Sequence, residues 1–321
     1  MTRNTLKNNT FPVVGICVAI VTISLVVSFI IPRRTAPLAP QTTSLKTIHI
    51  VTTLPMLADF SRIIGTNSIS VKSIVPAGVE PHDYEPTPND AIQIGQADLV
   101  FSVGQGFDAW ATNIIQSLPQ GQRPRHIIML EALAQKDDPE LSQLQLAATN
   151  QDPHFWLDIN KAITTADIIK STLGNIYPEQ RVQFDNREQK LISALRSLQD
   201  EFDAGLQTCK QKAYVTTHSA FHQMTASYGI MDLPLSGYDP EQEPSSAYLA
   251  SVVTSARKLG AHVIFTEPLV RPKTVTALAS DLKAQVYEID PLENTSNIDT
   301  FNYIRSMETN LRTLKLALEC K

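Results

Sequence analysis

Charge, cysteine and histidine are all scarce in this chain. Its 321 residues carry a formal net charge of only −5, and no basic cluster with interleaved aromatic residues occurs. The electrostatic footprint of a nucleic-acid partner is therefore missing. There are seven histidines and three cysteines, and no His-Glu-x-x-His helix that would supply a zinc hydrolase with its base. With 43% hydrophobic and 18% charged residues the chain is neither disordered nor fibrous. Its length suits two domains of ~130 residues each.

Long uncharged runs are rare too, with one exception. FPVVGICVAIVTISLVVSFII, residues 11–31, has no charged residue and is long enough to span a bilayer. Arg3 and Lys7 precede it and Arg33 and Arg34 follow, so flanking charge leaves its orientation open. A signal peptide has a shorter apolar core and a small-residue cleavage site. A lipoprotein site at Cys17 would need a small residue where Ile16 stands. Residues 1–35 are expected to form a retained anchor, with a cleaved signal as the alternative, and residues 36–45 a polar, proline-containing tether. The remainder is expected on the periplasmic or extracytoplasmic face. In such an oxidising compartment Cys209 and Cys320 are expected to form a disulfide rather than a metal site.

From Thr47 onward short β-rich runs alternate with helical ones. TIHIVTTL, ISVKSIVP, DLVFSVG and RHIIML read as strands of a first half, and KAYVTT, MDLPLS, AHVIFT and AQVYEID as strands of a second. The alternation predicts an α/β fold with parallel sheets covered by helices. Residues 178–209 read as one long helix, with Pro178 suited to its first turn and a break near Asp185 and Asn186 as the alternative. The expected domains are an N-terminal α/β lobe over residues 46–177, a linking helix over 178–209 and a C-terminal α/β lobe over 210–321.

In open α/β sheets ligands bind beyond the carboxyl ends of the strands, and that rule sorts the histidines. His82 sits in EPHDYEPTP, a loop stiffened by Pro81, Pro86 and Pro88, after the second strand. His154 in DPHFWLDI follows the fourth strand, His218 in VTTHSAF follows the first strand of the second half, and Asp290 in YEIDPL ends the last strand. These four are expected to meet in the cleft between the lobes. His126 and His262 open their strands, His49 lies within one, and His222 is read as a surface imidazole although it stands four residues after His218. Three imidazoles and a carboxylate suit a first-row divalent metal. Glu267 in FTEP is a candidate acceptor to orient a ligand imidazole, whereas Phe155 and Trp156 read as core packing.

From Lys46 to its end the chain resembles the metal-binding solute-binding proteins of ABC importers, the zinc, manganese and iron receptor group. PHDYEPTPND, ADLVFSVGQGFDAW, DPHFWLDI, VTTHSAFHQMTASYGI, IFTEPL and IDPL carry the resemblance in that order. It implies two β/α lobes joined by one long helix, with the metal between them on His82, His154, His218 and Asp290. Two departures bear on the metal. Many zinc members have a histidine-rich loop where this chain has EALAQKDDPELSQLQLAATNQ, and manganese members often have glutamate where His218 stands. Zn2+ is expected, favoured by the third imidazole, with Mn2+ as the alternative and iron third. The protein is expected to be a non-enzymatic monomer that binds the metal tightly and delivers it to an ABC permease. The rival readings are a zinc-dependent hydrolase and a surface adhesion protein with a structural metal.

Overall fold

The computed structural model describes residues 47–104, 106–137, 152–240, 243–268 and 273–321. The apolar run, Cys17, the tether and much of the loop after the fourth strand lie outside the described residues. Among the described residues no helix is long and apolar enough to cross a membrane.

Each half of the chain builds a four-stranded parallel sheet. In the first, β1 (Ile48–Thr52), β2 (Ile69–Ser73), β3 (Leu99–Ser102) and β4 (Arg125–Ile128) lie in the order β2-β1-β3-β4. In the second, β5 (Ala213–Thr216), β6 (Met231–Pro234), β7 (Val263–Thr266) and β8 (Gln285–Glu288) repeat the pattern as β6-β5-β7-β8. The central strands β3 and β5 are buried along their whole length, as runs covered by helices on both faces must be. All eight strands fall inside the stretches that their hydrophobic pattern marked. Both sheets belong to one compact unit, Lys46–Lys321.

Local chemistry sets the helix boundaries. Pro55 starts the helix Pro55–Gly65, where its missing N–H leaves no donor unpaired. Thr87 and Asp90 form a reciprocal capping box at Pro88–Gln96, which closes the proline-rich loop carrying His82. Ser245 caps Ser246–Leu259, and Gly260, at φ +66°, ends it in the left-handed conformation that glycine adopts without strain. The C-terminal helix begins only at Tyr303, because Asn302 accepts from the Arg305 N–H and fixes the start there. After the His218 loop the chain forms only a four-residue helix, His222–Thr225, and a 3-10 turn, Ala226–Tyr228, ended by Gly229 at φ +65°.

Between the sheets a 3-10 turn, Pro178–Gln180, leads into an unbroken helix, Arg181–Leu206, of 26 residues. At 1.5 Å per residue it is about 39 Å long. Phe184, Leu191, Leu195, Leu198, Phe202 and Leu206 form its buried face and join a core that includes residues of both halves. Just beyond it Cys209 is disulfide-bonded to Cys320, which ties the end of the linking helix to the end of the chain.

The bridge closes a loop across a sequence separation of 111 residues. The Cys209→Ser, Cys320→Ser double variant should therefore lose up to about 4 kcal/mol of stability through the larger entropy of its unfolded chain. Urea unfolding of the two proteins checks this, and equal midpoints would show that the bridge constrains nothing.

Candidate metal centre

His82, His154, His218 and Glu293 converge, with one donor atom from each lying within 4.8 Å of the others. Each follows the carboxyl end of a strand: His82 after β2, His154 after β4, His218 after β5 and Glu293 after β8. Glu293 Oε1 lies 2.9 Å from His154 Nε2 and 3.3 Å from His218 Nε2, and Oε2 lies 3.7 Å from His82 Nε2. These separations bracket the ~3.3 Å edge of a tetrahedron with metal–ligand bonds of about 2.0–2.1 Å. All four side chains are at most 2% exposed.

The inward atoms are poorly satisfied as hydrogen-bonding groups. Among the described residues His82 Nε2, His154 Nε2 and Glu293 Oε2 have no aligned hydrogen-bond partner, although His154 Nε2 is close to the carboxylate. Buried polar atoms are normally paired. Atoms that are buried, unpaired and aimed at one point are placed for a cation at that point.

The outward atoms, in contrast, are well held. His154 Nδ1 lies 2.8 Å from Asp152 Oδ1, and His218 Nδ1 lies 2.7 Å from Glu267 Oε1, which also accepts from the Thr217 hydroxyl. Carboxylates in these positions fix Nδ1 as the protonated nitrogen and leave Nε2 for a metal. Glu267 thus stands where the sequence put an orienting acceptor, while Asp152 was missed. Aromatic rings wall the site. Phe107 packs on His82 with centroids 4.7 Å apart, and Trp156 packs on His154 at 5.2 Å. Trp156 also donates from Nε1 to the Pro291 carbonyl at 2.7 Å, so its indole both packs and ties the two halves together. Phe107 is seated by a tight turn in which Gly104, at φ +131°, and Val103 donate their N–H groups to Asp108.

Asp290, expected as the fourth ligand, is not among the atoms brought together; Glu293 stands there instead. The reason is local. Asp290 Oδ1 accepts the Leu292 N–H at 2.8 Å, while its backbone is held from both sides by the Asn310 side chain. Leu292, at φ +60°, then turns the chain so that Glu293 enters the cluster. The same acidic-Pro-x unit occurs at the other two loops. Glu80 accepts from the His82 N–H across Pro81, and Asp152 from the His154 N–H across Pro153. In all three the acid closes a turn over a proline and the chain beyond it supplies the ligand. That shared pattern is the sequence signal that marks Asp290 as a turn former. Asp290 and Glu80 line a cavity of about 280 Å³ beside Glu293, together with Glu267 and Asn294. Burial pushes the Asp290 carboxyl up to about 6, and burial with the nearby Glu293 charge pushes Glu80 up to about 8.

The other histidines stay outside the cluster. His126 pairs with the Ser102 hydroxyl at 2.7 Å, His262 approaches the Leu282 carbonyl at 3.4 Å, and His222 is exposed, as is His49 within β1.

Charge in the metal-free site is balanced by protons. Burial works against the charge of Glu293, but the neighbouring imidazoles hold its carboxyl well below the ordinary range. Burial likewise opposes protonation of His154 and His218, yet the bond of His154 to Asp152 and the adjacent Glu293 carboxylate raise its pKa, and the Glu293 charge with Glu267 holds His218 well above the usual value. The sign of the linkage follows. Stability from the depressed Glu293 is fully present above its ordinary value of 4.5 and is lost as pH falls through the folded value. Stability from the two raised histidines is fully present below 6.5 and is lost as pH rises through their folded values. Metal-free protein should therefore unfold at lower urea concentration at about pH 8 than at about pH 6. A midpoint that rises over this interval would contradict the charge arrangement.

Residues 50–317 match the family described as ZnuA, zinc-uptake complex component A, periplasmic. The chain is 28% identical over 282 residues to the high-affinity zinc uptake system protein ZnuA of Bacillus subtilis, covering 85% of this chain and 88% of that one. It is 27% identical over 276 residues to the zinc-binding lipoprotein AdcA of Streptococcus pneumoniae, covering 84% of this chain but only 55% of AdcA. Among solved structures, the Zn(II)-bound ZnuA-like domain of Streptococcus pneumoniae AdcA superposes with a TM-score of 0.69 at 28% identity, over 85% of this chain and 99% of that domain.

Proposed function

The chain belongs to the zinc-uptake complex component A family, and from that premise we propose that it captures Zn2+ outside the cytoplasm and passes it to an ABC permease. The observation that carries the reading is the buried convergence of His82, His154, His218 and Glu293, whose inward atoms are spaced for a tetrahedral ion. We assign these four as the ligands, with Asp152 and Glu267 orienting two of the imidazoles.

Capture is an exchange of protons for metal. His154 and His218 give up the protons that balance Glu293, and the ion then takes over that role. Zinc is favoured over manganese because three imidazoles and a single carboxylate make a soft, nitrogen-rich set, and affinities rise from manganese toward zinc. No bond of a substrate is made or broken in this reading. A hydrolytic zinc needs an open position for water, whereas Glu293 fills the fourth position here. An adhesive role with a structural metal would require the ion for folding. The apolar core, which runs from the first sheet through the linking helix to the C-terminal helix, gives the fold a basis independent of it. The chain is read as a monomer held at the membrane by residues 11–31. Recovery of the protein in host membranes after a high-salt wash, and its release when that segment is deleted, would check the tether.

Ligand identity is tested by competition titration with Zn2+. Glu293→Gln and His154→Ala should each weaken binding by at least ~10-fold, since even the loss of an outer partner reaches that range. Asp290→Asn and His126→Ala should bind as the parent does. A large loss in Asp290→Asn with none in Glu293→Gln would reverse the assignment, and Mn2+ displacing Zn2+ at comparable concentration would overturn the choice of metal.

A further inference from the structure

The two supported imidazoles are supported differently. His218 is held by Glu267, and both belong to the second half of the chain, as does Thr217, which bonds the same carboxylate. The support of His154 is completed from across the cleft. Asp152 uses one oxygen, Oδ1, for the ring and backbone of His154, at 2.8 and 3.0 Å. Its other oxygen, Oδ2, accepts from Gln223 Nε2 at 2.8 Å. Gln223 lies in the short helix His222–Thr225, which follows the His218 loop in the second half.

The amide of Gln223 is fixed at both ends. While Nε2 donates to Asp152, Oε1 accepts from Lys161 Nζ at 2.8 Å. Turned over, the amide would set its NH2 group against an ammonium and its carbonyl oxygen against a carboxylate, losing both bonds. Both partners belong to the first half, so one side chain of the second half grips the first half twice. A continuous chain of contacts therefore runs Lys161–Gln223–Asp152–His154 and ends at an inward-facing Nε2. Other ties between the halves are of a different kind. Gly78 N–H to Asn294, Arg62 to the Ile298 carbonyl, the Tyr303 N–H to Asp59 and Trp156 Nε1–H to the Pro291 carbonyl all join the first half to the chain after β8. Of these only Trp156 touches a ligand imidazole, by packing on the His154 ring, and none bonds the carboxylate that orients it.

We propose that Gln223 is a positioning residue for metal retention, a latch that keeps His154 aimed at the ion while residues 222–225 rest against the first half and frees it when that short segment moves away. The proposal rests on the capture reading above and adds what sets the residence time of the ion. When residues 222–225 separate from Asp152 and Lys161, Asp152 loses the partner that fixes its second oxygen. The His154 ring is then held by a carboxylate anchored through Oδ1 alone, and one of the four ligands loosens before any metal bond has been strained. Release by this route needs no competing ligand and no change of pH.

The test uses the full chain loaded with Zn2+ and follows transfer of the ion to an excess of chelator by stopped flow. Gln223→Glu keeps the size of the side chain and its bond from Lys161 but sets a carboxylate against Asp152. Gln223→Met removes both bonds with little change of shape, and Lys161→Met removes only the outer one. Release should be ~10-fold or more faster in both Gln223 variants, the scale on which outer partners of metal-bound histidines act, and less accelerated in Lys161→Met. The visible spectrum of the Co2+-loaded protein should change in the Gln223 variants as the His154 ring reorients. Urea midpoints of the metal-free proteins should match the parent. Parent-like release and Co2+ spectra in both Gln223 variants would overturn the latch while leaving capture intact. So would faster release matched by a fall in metal-free stability, since that would make Gln223 a general structural contact. A parent protein that takes up no Zn2+ would refute capture itself and the latch with it.

Discussion

A carboxylate buried among three imidazoles organises this molecule. Glu293 is 2% exposed and, among the described residues, pairs with no lysine or arginine; its close polar neighbours are the ring nitrogens of His82, His154 and His218. A carboxylate in that position is stable only if positive charge is brought to it. Protons on the imidazoles can supply that charge, and so can a divalent ion, but the two cannot occupy the same Nε2 lone pairs. The requirement reaches outward from there. Strands of both sheets must end at the same place, and Phe107, Trp156 and the turn at Gly104 must keep the surroundings apolar enough for the charge to matter.

Holding four groups from two sheets at one point demands a frame that does not drift. The linking helix Arg181–Leu206 supplies part of it, because its buried face runs through a core common to both halves. The disulfide between Cys209 and Cys320 closes that frame where the helix ends. A stiff connector differs from the loop hinges of proteins that close by large rotation. With so rigid a link, small displacements of short segments near the site are the natural way to change its geometry. The four-residue helix at His222–Thr225 is the shortest α-helix among the described residues, and it sits beside His218.

Much of this was legible in the sequence because it depends on periodicity and on strand ends. The strands stand out as short apolar runs, and the rule that sites lie beyond their carboxyl ends separates His82, His154 and His218 from His126 and His262 without any structure. What escaped depends on turns. Asp290 and Glu293 follow the same strand three residues apart, and which of them faces the cleft is set by the left-handed Leu292 and by the Asn310 side chain, 20 residues further on. Gln223 escaped because its partners, Asp152 and Lys161, are 71 and 62 residues away. Pattern rules place a residue at an end of a sheet, but which atom faces inward is decided by contacts between distant segments.

A carrier has to reconcile tight binding with release. If all four ligands came from one lobe, releasing the ion would mean breaking bonds in place, and the rate would fall as the affinity rose. Here His82 and His154 come from the first half, and His218 and Glu293 from the second. Displacing the segments that carry one pair therefore divides the proposed ligand set in two, and neither pair alone would enclose an ion. The supports are divided as well: Glu267 moves with His218, while Asp152 is held in part by Gln223 across the cleft. Affinity can then be high in the joined arrangement, where burial strengthens each contact, without by itself fixing the rate at which the ion leaves, because a small displacement of one short segment is enough to open the set.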